Sequence, residues 1–177
     1  MARLFVALRP PPAMREALRA TMHGLSGARW QSDEQLHLTL RFVGDVDRHA
    51  AADIAATLRR VRGAALMLGI ESVGAFQSKG RANSLWAGVA TARDLVRIAK
   101  AVDRAIVDVG LPPETRAFRP HITLARLGRT AMPADGWLEA NAGLHVAPAA
   151  FAHLYLYESI LGHEGSTYTV VERYPLD

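Results

Sequence analysis

The sequence predicts an α+β protein with two lobes related by an approximate twofold axis and a cleft between them. Each lobe is expected to be a mainly antiparallel sheet with its helices on the outside. Apolar patterns typical of strand, helix and strand occur twice along the chain, and the segments at 35–44 and 119–128 carry one shared polar motif. Half of the 177 residues are hydrophobic, which is enough for a packed core.

The first half of the chain is expected to contain three strands and two helices. Prolines fit the first turn of the first helix, because the backbone N–H that they lack has no partner there. Asp47 can accept a hydrogen bond at the start of the second helix. In chain order the elements are a strand at 3–8, a helix from Pro10–Pro12 to about Gly24, the first motif strand, a helix at 48–62 and a strand at 65–76.

The second half repeats this order after a polar, basic loop at 77–84. Thr91, with Asp94 three residues later, resembles a capping box at the start of a helix. The expected elements are a strand at 85–90, a helix at 92–109, the second motif strand, a short helix near 136–142 and strands near 145–158 and 166–174. No long linker separates the halves, so we expect a single bilobal domain over 1–177 with approximate repeats at 3–44 and 84–128.

The two motif strands fit one template of His, apolar, Thr, Leu, two free positions, apolar and Gly. Residues two apart in a strand share a face, so His37 projects beside Thr39, and His121 beside Thr123. The leucines and isoleucine between them point into the lobes. The approximate twofold axis would then bring two imidazoles, each with a hydroxyl, to one cleft. The matched residues are His37, Thr39, Leu40, Val43 and Gly44, and His121, Thr123, Leu124, Leu127 and Gly128.

Two histidines that titrate near neutral pH are suited to acid–base catalysis, with one accepting a proton and the other donating one. Two threonine hydroxyls can hold the oxygens of a group between them, and phosphate has the required symmetry. The alternative is that both histidines are ordinary sheet residues, but a strand retained for packing would not need His and Thr together. A zinc site would need a third ligand, and the motif supplies threonine instead. We therefore expect neither a metal nor a cofactor.

The motifs and their flanks resemble the 2H phosphoesterase superfamily, and within it the RNA 2′,3′-cyclic phosphodiesterases, also called 2′-5′ RNA ligases. The resemblance extends over nearly the whole chain, through RLFVAL, QLHLTLRFVG, LWAGV, FRPHITLAR, LYLYES and YTVVERYP. It implies a bilobal fold with a metal-independent site in the central cleft. It also implies an enzyme that opens RNA 2′,3′-cyclic phosphates to 2′-phosphates and in some members joins RNA ends through a 2′-5′ linkage.

Carried over residue by residue, the resemblance makes His37 and His121 the catalytic pair. Thr39, Thr123 and Arg126 fall on the positions that hold the phosphate. Strict alternation would turn Arg126 away from His121, so the strand is expected to twist, bulge or end near Ala125. We assign His121 as the base and His37 as the acid, although a nearly symmetric site leaves the reverse assignment open.

The remaining expectations concern partners. The net charge of +4 is compatible with an anionic partner such as RNA or a nucleotide, and the resemblance implies RNA that ends in a 2′,3′-cyclic phosphate or cyclic nucleotides. Arg41, Lys79 and Arg81 are candidate RNA contacts, with Phe76 beside the last two; the alternative is that these three are solvated surface residues. The alternative function is a nucleotide- or RNA-binding module that has the cleft but no turnover. The N-terminal apolar run is too short for a signal peptide, and no run reaches membrane-spanning length. We therefore expect a cytoplasmic monomer without a membrane partner.

Overall fold

The structure is a computed structural model that describes residues 1–163 and 165–177. Four α-helices and nine strands are found there, which confirms the α+β class. In chain order they are β1 (Ala2–Leu8), α1 (Pro12–Arg19), β2 (Ala28–Trp30), β3 (Leu38–Val46), α2 (Arg48–Leu58), β4 (Leu66–Ser78), β5 (Arg81–Val89), α3 (Arg93–Asp108), β6 (His121–Leu127), α4 (Asp135–Ala140), β7 (Val146–Phe151), β8 (His153–Gly162) and β9 (Gly165–Pro175), with a 3-10 turn at Asp33–Gln35.

The strands form one antiparallel sheet whose order is nearly symmetric about its centre. The order is β7-β4-β5-β6-β3-β1-β8-β9, with β2 alongside β6. We call β3, β1, β8 and β9 the first lobe, and β6, β5, β4 and β7 the second lobe. The pair Leu38–Ile122 joins β3 to β6, and these two residues occupy the same place in the two motifs. The approximate twofold axis therefore passes beside this pair, as the sequence predicts.

The two faces of the sheet have different roles. Alternate residues of β1, namely Leu4, Val6 and Leu8, belong to the large core. Helix α3 covers that face with an apolar stripe that includes Ile98 and Val102. On the other face lies a small separate cluster of Phe5, Ala7 and Tyr157. We call these the helix face and the open face; burial of the helix face supplies most of the apolar stabilisation, since that term grows with the buried area.

The expected loop at 77–84 is wrong, because most of it is strand. β4 and β5 form a hairpin whose turn is Lys79–Gly80, both with positive φ, at 52° and 74°. A turn with positive φ at both central residues has the same right-handed twist as the flanking strands. A glycine in the second position adopts this conformation without strain. The sequence Lys-Gly was therefore the signal for a tight turn within a polar segment.

Other boundaries also differ from the predictions. Helix α2 ends at Leu58 rather than 62, and the expected strand at 145–158 is two strands, one in each lobe. The capping box at Thr91 is wrong: α3 begins after Ala92, which has no side-chain cap. The short strand β2 was not predicted, since three residues are too few for a periodic pattern.

Among the described residues, no helix is both long enough and apolar enough to span a bilayer.

Candidate active site

The two motif strands are neighbours at the centre of the sheet, where the lobes meet. They run antiparallel, and the Leu38–Ile122 pair lies between the two polar residues of each motif. The residues on either side of this pair therefore lie opposite each other, His37 opposite Thr123 and Thr39 opposite His121. Both histidines contact aromatic rings of the open face. The structure therefore places the two predicted His–Thr pairs side by side on the open face, away from the main core.

Both histidines are held in the same way. Nδ1 of His37 donates to the carbonyl oxygen of Gln35 at 2.7 Å, and Nδ1 of His121 donates to that of Arg119 at 2.6 Å. A carbonyl oxygen only accepts, so these bonds fix the proton on Nδ1. In the neutral ring Nε2 then carries the lone pair, and in the charged ring it carries a proton to give. Each histidine is therefore oriented to act as base or acid through Nε2.

The carbonyl that holds His37 belongs to a well-anchored residue. The side-chain oxygen of Gln35 accepts from the backbone N–H of Ser32 at 2.8 Å, and its amide nitrogen donates to the carbonyl of Ser166 at 2.6 Å. The first of these bonds is half of a capping box around the 3-10 turn before β3. The second ties the turn to β9. The position of His37 consequently depends on a strand that lies far along the chain.

Aromatic rings surround His37. The centroid of Phe5 lies 4.8 Å from that of the imidazole, and Tyr168 meets it edge-on at 5.1 Å. Tyr157 stacks on Phe5 at 5.1 Å. These three residues come from β1, β8 and β9. They remove water from one side of the imidazole and leave its other side toward β6.

His121 has a corresponding but different aromatic surface. Phe76 meets it edge-on with centroids 4.8 Å apart, and Trp86 lies at 6.2 Å. Trp86 can lie flat on the sheet because Gly74 is its cross-strand partner, and a Cβ at Gly74 would overlap the indole ring. Of these aromatic residues only Phe76 was predicted near the site; Phe5, Tyr157, Tyr168 and Trp86 were not. The alternation in RLFVAL and LYLYES, with aromatic residues opposite the leucines, was the available signal.

The surroundings favour the neutral form of both rings. Burial is the main cause that lowers the pKa of His37, to about 4, and the charges of Arg126 and His121 lower it further; the bond to Gln35 opposes these effects. Burial also lowers the pKa of His121, again with a contribution from Arg126. An imidazolium in either place loses hydration and faces a cation, so its proton is released more readily.

A β-bulge places Arg126 on the open face. Trp86 pairs with Thr123 and Leu85 with Ala125, so Leu124 is an extra residue between the two pairs. Leu124 and Ala125 are both fully buried in the helix-face core. Arg126 therefore returns to the face of His121, in register with Ser84. The expectation of a bulge near Ala125 is confirmed, and Arg126 is exposed at the edge of the site.

The same bulge in the first motif removes Arg41 from the site. Val6 pairs with Arg41 and Ala7 with Thr39, so Leu40 is the extra residue. Arg41 consequently shares the helix face, where its Nε lies 2.8 Å from a carboxylate oxygen of Asp103 on α3. Its prediction as an RNA contact beside His37 is wrong. Phe42, which occupies the template position of Arg126, is more than one-third exposed, and Arg3 lies over its ring at 5.2 Å.

Within residues 1–163 and 165–177, no group of three or more His, Cys, Asp or Glu side chains is placed to hold a metal ion. The donors that the site does present are imidazole, hydroxyl and guanidinium. These groups suit an oxyanion such as phosphate, which accepts hydrogen bonds from all of them.

The fold and the site together define a class of bilobal α+β proteins in which two His-x-Thr strands meet at one site. Comparison with known proteins gives the particular family. The profile of the family described as LigT like Phosphoesterase matches twice, at residues 8–86 and 89–168. The chain therefore belongs to the LigT-like phosphoesterase family, within the 2H phosphoesterases, as the resemblance implied.

Curated and solved relatives agree with this membership. The RNA 2′,3′-cyclic phosphodiesterase of Aeropyrum pernix is 35% identical over 139 residues, which are 77% of this chain and 79% of that protein. The crystal structure of TT0787 of Thermus thermophilus has a TM-score of 0.81 at 26% identity and covers 98% of this chain and 97% of its own. Escherichia coli LigT complexed with 3′-AMP has a TM-score of 0.79 at 25% identity and covers 99% and 98%.

Proposed function

We propose that this protein is an RNA 2′,3′-cyclic phosphodiesterase that opens terminal cyclic phosphates to 2′-phosphates with His37 and His121 as its acid–base pair. The observation that carries the proposal is the matched Nδ1 bond of the two histidines, which directs both Nε2 atoms for proton transfer. The name of the Aeropyrum relative gives the substrate class, and the 3′-AMP in E. coli LigT is a ligand of the same chemical kind.

In the proposed reaction one neutral imidazole accepts a proton from water through Nε2, and the water oxygen attacks phosphorus. The bond from phosphorus to the 3′-oxygen breaks, and the second, protonated imidazole donates its proton to that oxygen. The product has a 2′-phosphate and a 3′-hydroxyl, and both histidines have exchanged protonation states. The assignment of His121 as base and His37 as acid stays a prediction.

Thr39, Thr123 and Arg126 are proposed to hold the two non-bridging phosphate oxygens. The threonines flank the Leu38–Ile122 pair on the open face, and the bulge at Leu124 brings Arg126 to that face. The guanidinium charge opposes the negative charge that builds up on these oxygens in the transition state. The charge of Arg126 also contributes, after burial, to lowering the pKa of both histidines.

A product assay with a short RNA that ends in a 2′,3′-cyclic phosphate tests the function. We expect a 2′-phosphate product, formed at the same rate with and without EDTA, because the proposed steps use protein groups alone. Binding without product would favour the alternative of an RNA-binding module. Activity that EDTA abolishes and added zinc or manganese restores would contradict the paired-histidine scheme. Supplying an RNA with a 5′-hydroxyl tests the proposed reverse reaction, whose product is a 2′-5′ linkage.

The pH profile of kcat/KM is expected to be a bell in the acidic range. This ratio reports the free enzyme. Below about 4 both histidines are protonated and no base remains. Above the pKa of His121, which lies below the ordinary 6.5, both are neutral and no acid remains. A bound phosphate anion favours imidazolium, so the bell for kcat should shift to higher pH. An alkaline limb of kcat/KM above pH 6.5 would contradict the burial argument.

We also propose that the chain is a single bilobal domain that arose by internal duplication, and that it acts as a monomer in the cytoplasm. The nearly symmetric strand order and the two matches of the family profile support the duplication. Sedimentation of the purified protein would test the monomer.

A further inference from the structure

A basic groove lies between the end of α2 and the length of α3. It has a volume of about 470 Å³. Val61, Ala101 and Ala105 are among its apolar residues. Five cationic side chains line it, which we call the groove cations: Arg60, Arg62, Arg97, Lys100 and Arg104.

The charge of this groove is unusual for the molecule. Against the five groove cations stands one lining carboxylate, Asp108, an excess of four. The formal net charge of the whole chain is also +4. Of the groove cations, only Arg97 forms an ion pair within the described residues, with Asp94 at 3.4 Å. With Asp94 counted beside Asp108, the local excess is three positive charges, which is most of the net charge of the chain.

Helix stabilisation explains only part of this pattern. Arg60 and Arg62 follow the end of α2, where cations interact favourably with the helix dipole. Arg97, Lys100 and Arg104 lie within α3 at helical spacing, so they share one side of the helix. They extend for about 10 Å along its axis. A row of this kind suits a chain of phosphates better than a single anion.

The groove is remote from the catalytic histidines. Helix α3 packs with Leu95 and Ile106 into the core of the helix face, whereas His37 contacts Phe5 and Tyr157 on the open face. The whole thickness of the sheet separates them. A mononucleotide in the catalytic site cannot reach the groove, but a longer RNA that passes around the sheet can.

We propose that the groove between α2 and α3 binds the phosphodiester backbone of the substrate RNA at a distance from its reacting end. The charge row supplies phosphate contacts, and the apolar surface of Val61, Ala101 and Ala105 accommodates ribose. Such contacts carry no sequence information, so the groove strengthens binding of long RNA of any sequence. The choice of RNA as the ligand rests on the proposed function. Binding of RNA in the groove does not require turnover at the catalytic site.

Fluorescence anisotropy with two RNAs tests the proposal. One RNA has roughly 20 nucleotides, longer than a single-strand groove covers, and the other is a dinucleotide; both end in a 2′-phosphate and are not turned over. In the variant Arg62→Glu/Arg104→Glu, affinity for the long RNA is expected to fall about 10-fold or more. The slope of log K against log salt should become shallower by about 1 to 2, near 0.7 for each phosphate that the protein no longer neutralises. Affinity for the dinucleotide should not change.

The single variant Arg104→Glu is measured beside the double variant, and Arg48→Glu is its matched control. Arg48 is an exposed residue in the first turn of α2, at the opposite end from the groove, and its replacement changes the net charge equally. Equal loss of long-RNA affinity in Arg48→Glu, or no loss in the double variant, would overturn the proposal. Turnover of a 2′,3′-cyclic mononucleotide should be the same in all variants. If the wild type does not turn it over, the proposed function fails, and the anisotropy result still decides the groove.

Discussion

Replacing either His37 or His121 with alanine is expected to reduce kcat/KM by about 10² to 10⁴-fold. The reason is that in the proposed reaction each Nε2, directed by its Nδ1 bond, has a separate proton to move. The double variant should lose little more than the worse single variant, because groups that act as a unit are not additive. Turnover of an RNA with a cyclic phosphate end, measured for all three variants, gives the comparison.

Thermal melting of the same variants separates catalysis from folding. Both histidines are half-buried on the open face, outside the large core. His37 has three aromatic neighbours, Phe5, Tyr157 and Tyr168, whereas His121 has two, so the loss of His37 should lower the melting temperature more. Near-wild-type turnover in either single variant would refute the paired mechanism. An unfolded variant would instead show that the histidine is required for the structure.

Replacing Arg126 with alanine is expected to cost about 2 to 4 kcal/mol of transition-state stabilisation, the range for removal of a charge-stabilising donor. Arg126→Lys should recover part of this loss, since it retains the charge but not the planar pair of donors. The pH profile supplies a second reading. Because the charge of Arg126 lowers the pKa of both histidines, both limbs of kcat/KM should move to higher pH in the alanine variant.

The lysine variant provides the control for that shift. With the positive charge retained, its two limbs should stay near those of the wild type even where its rate is lower. Unchanged rates in Arg126→Ala would show that this arginine does not hold the phosphate. A lower rate with unmoved limbs would show that its charge does not act on the histidines.

The sequence predicted the fold class and the residues that meet at the site because both depend on periodicity. Alternation put His37 beside Thr39, and the repeat put His121 and Thr123 beside them. Alternation fails where a strand has an extra residue. The chemistry assigned to Arg126 required a bulge, so the bulge there was expected. For Arg41 no such requirement existed, and the equivalent bulge at Leu40 turned it to the helix face.

The aromatic surroundings of His37 could not be predicted by the same means. Phe5, Tyr157 and Tyr168 come from three strands whose order in the sheet is set by long-range pairing. Local patterns indicate which side of a strand is apolar but not which strands become neighbours. Without those neighbours, neither the lowered pKa of His37 nor the expected acidic optimum of kcat/KM can be predicted from the sequence.

The order of strands also determines when the molecule can fold during its synthesis. The second lobe is made of strands that follow one another between 66 and 151, whereas the first lobe starts with β1 and is completed by β8 and β9. On the ribosome, which extends a chain by about 5 to 20 residues per second, β1 and β3 must wait with an unpaired edge until residues 153–175 have been made. An open edge of this kind is a site of wrong pairing. The aromatic rings around His37 are therefore brought together last. The proposed catalytic site of a nascent chain stays incomplete until β8 and β9 have joined the sheet.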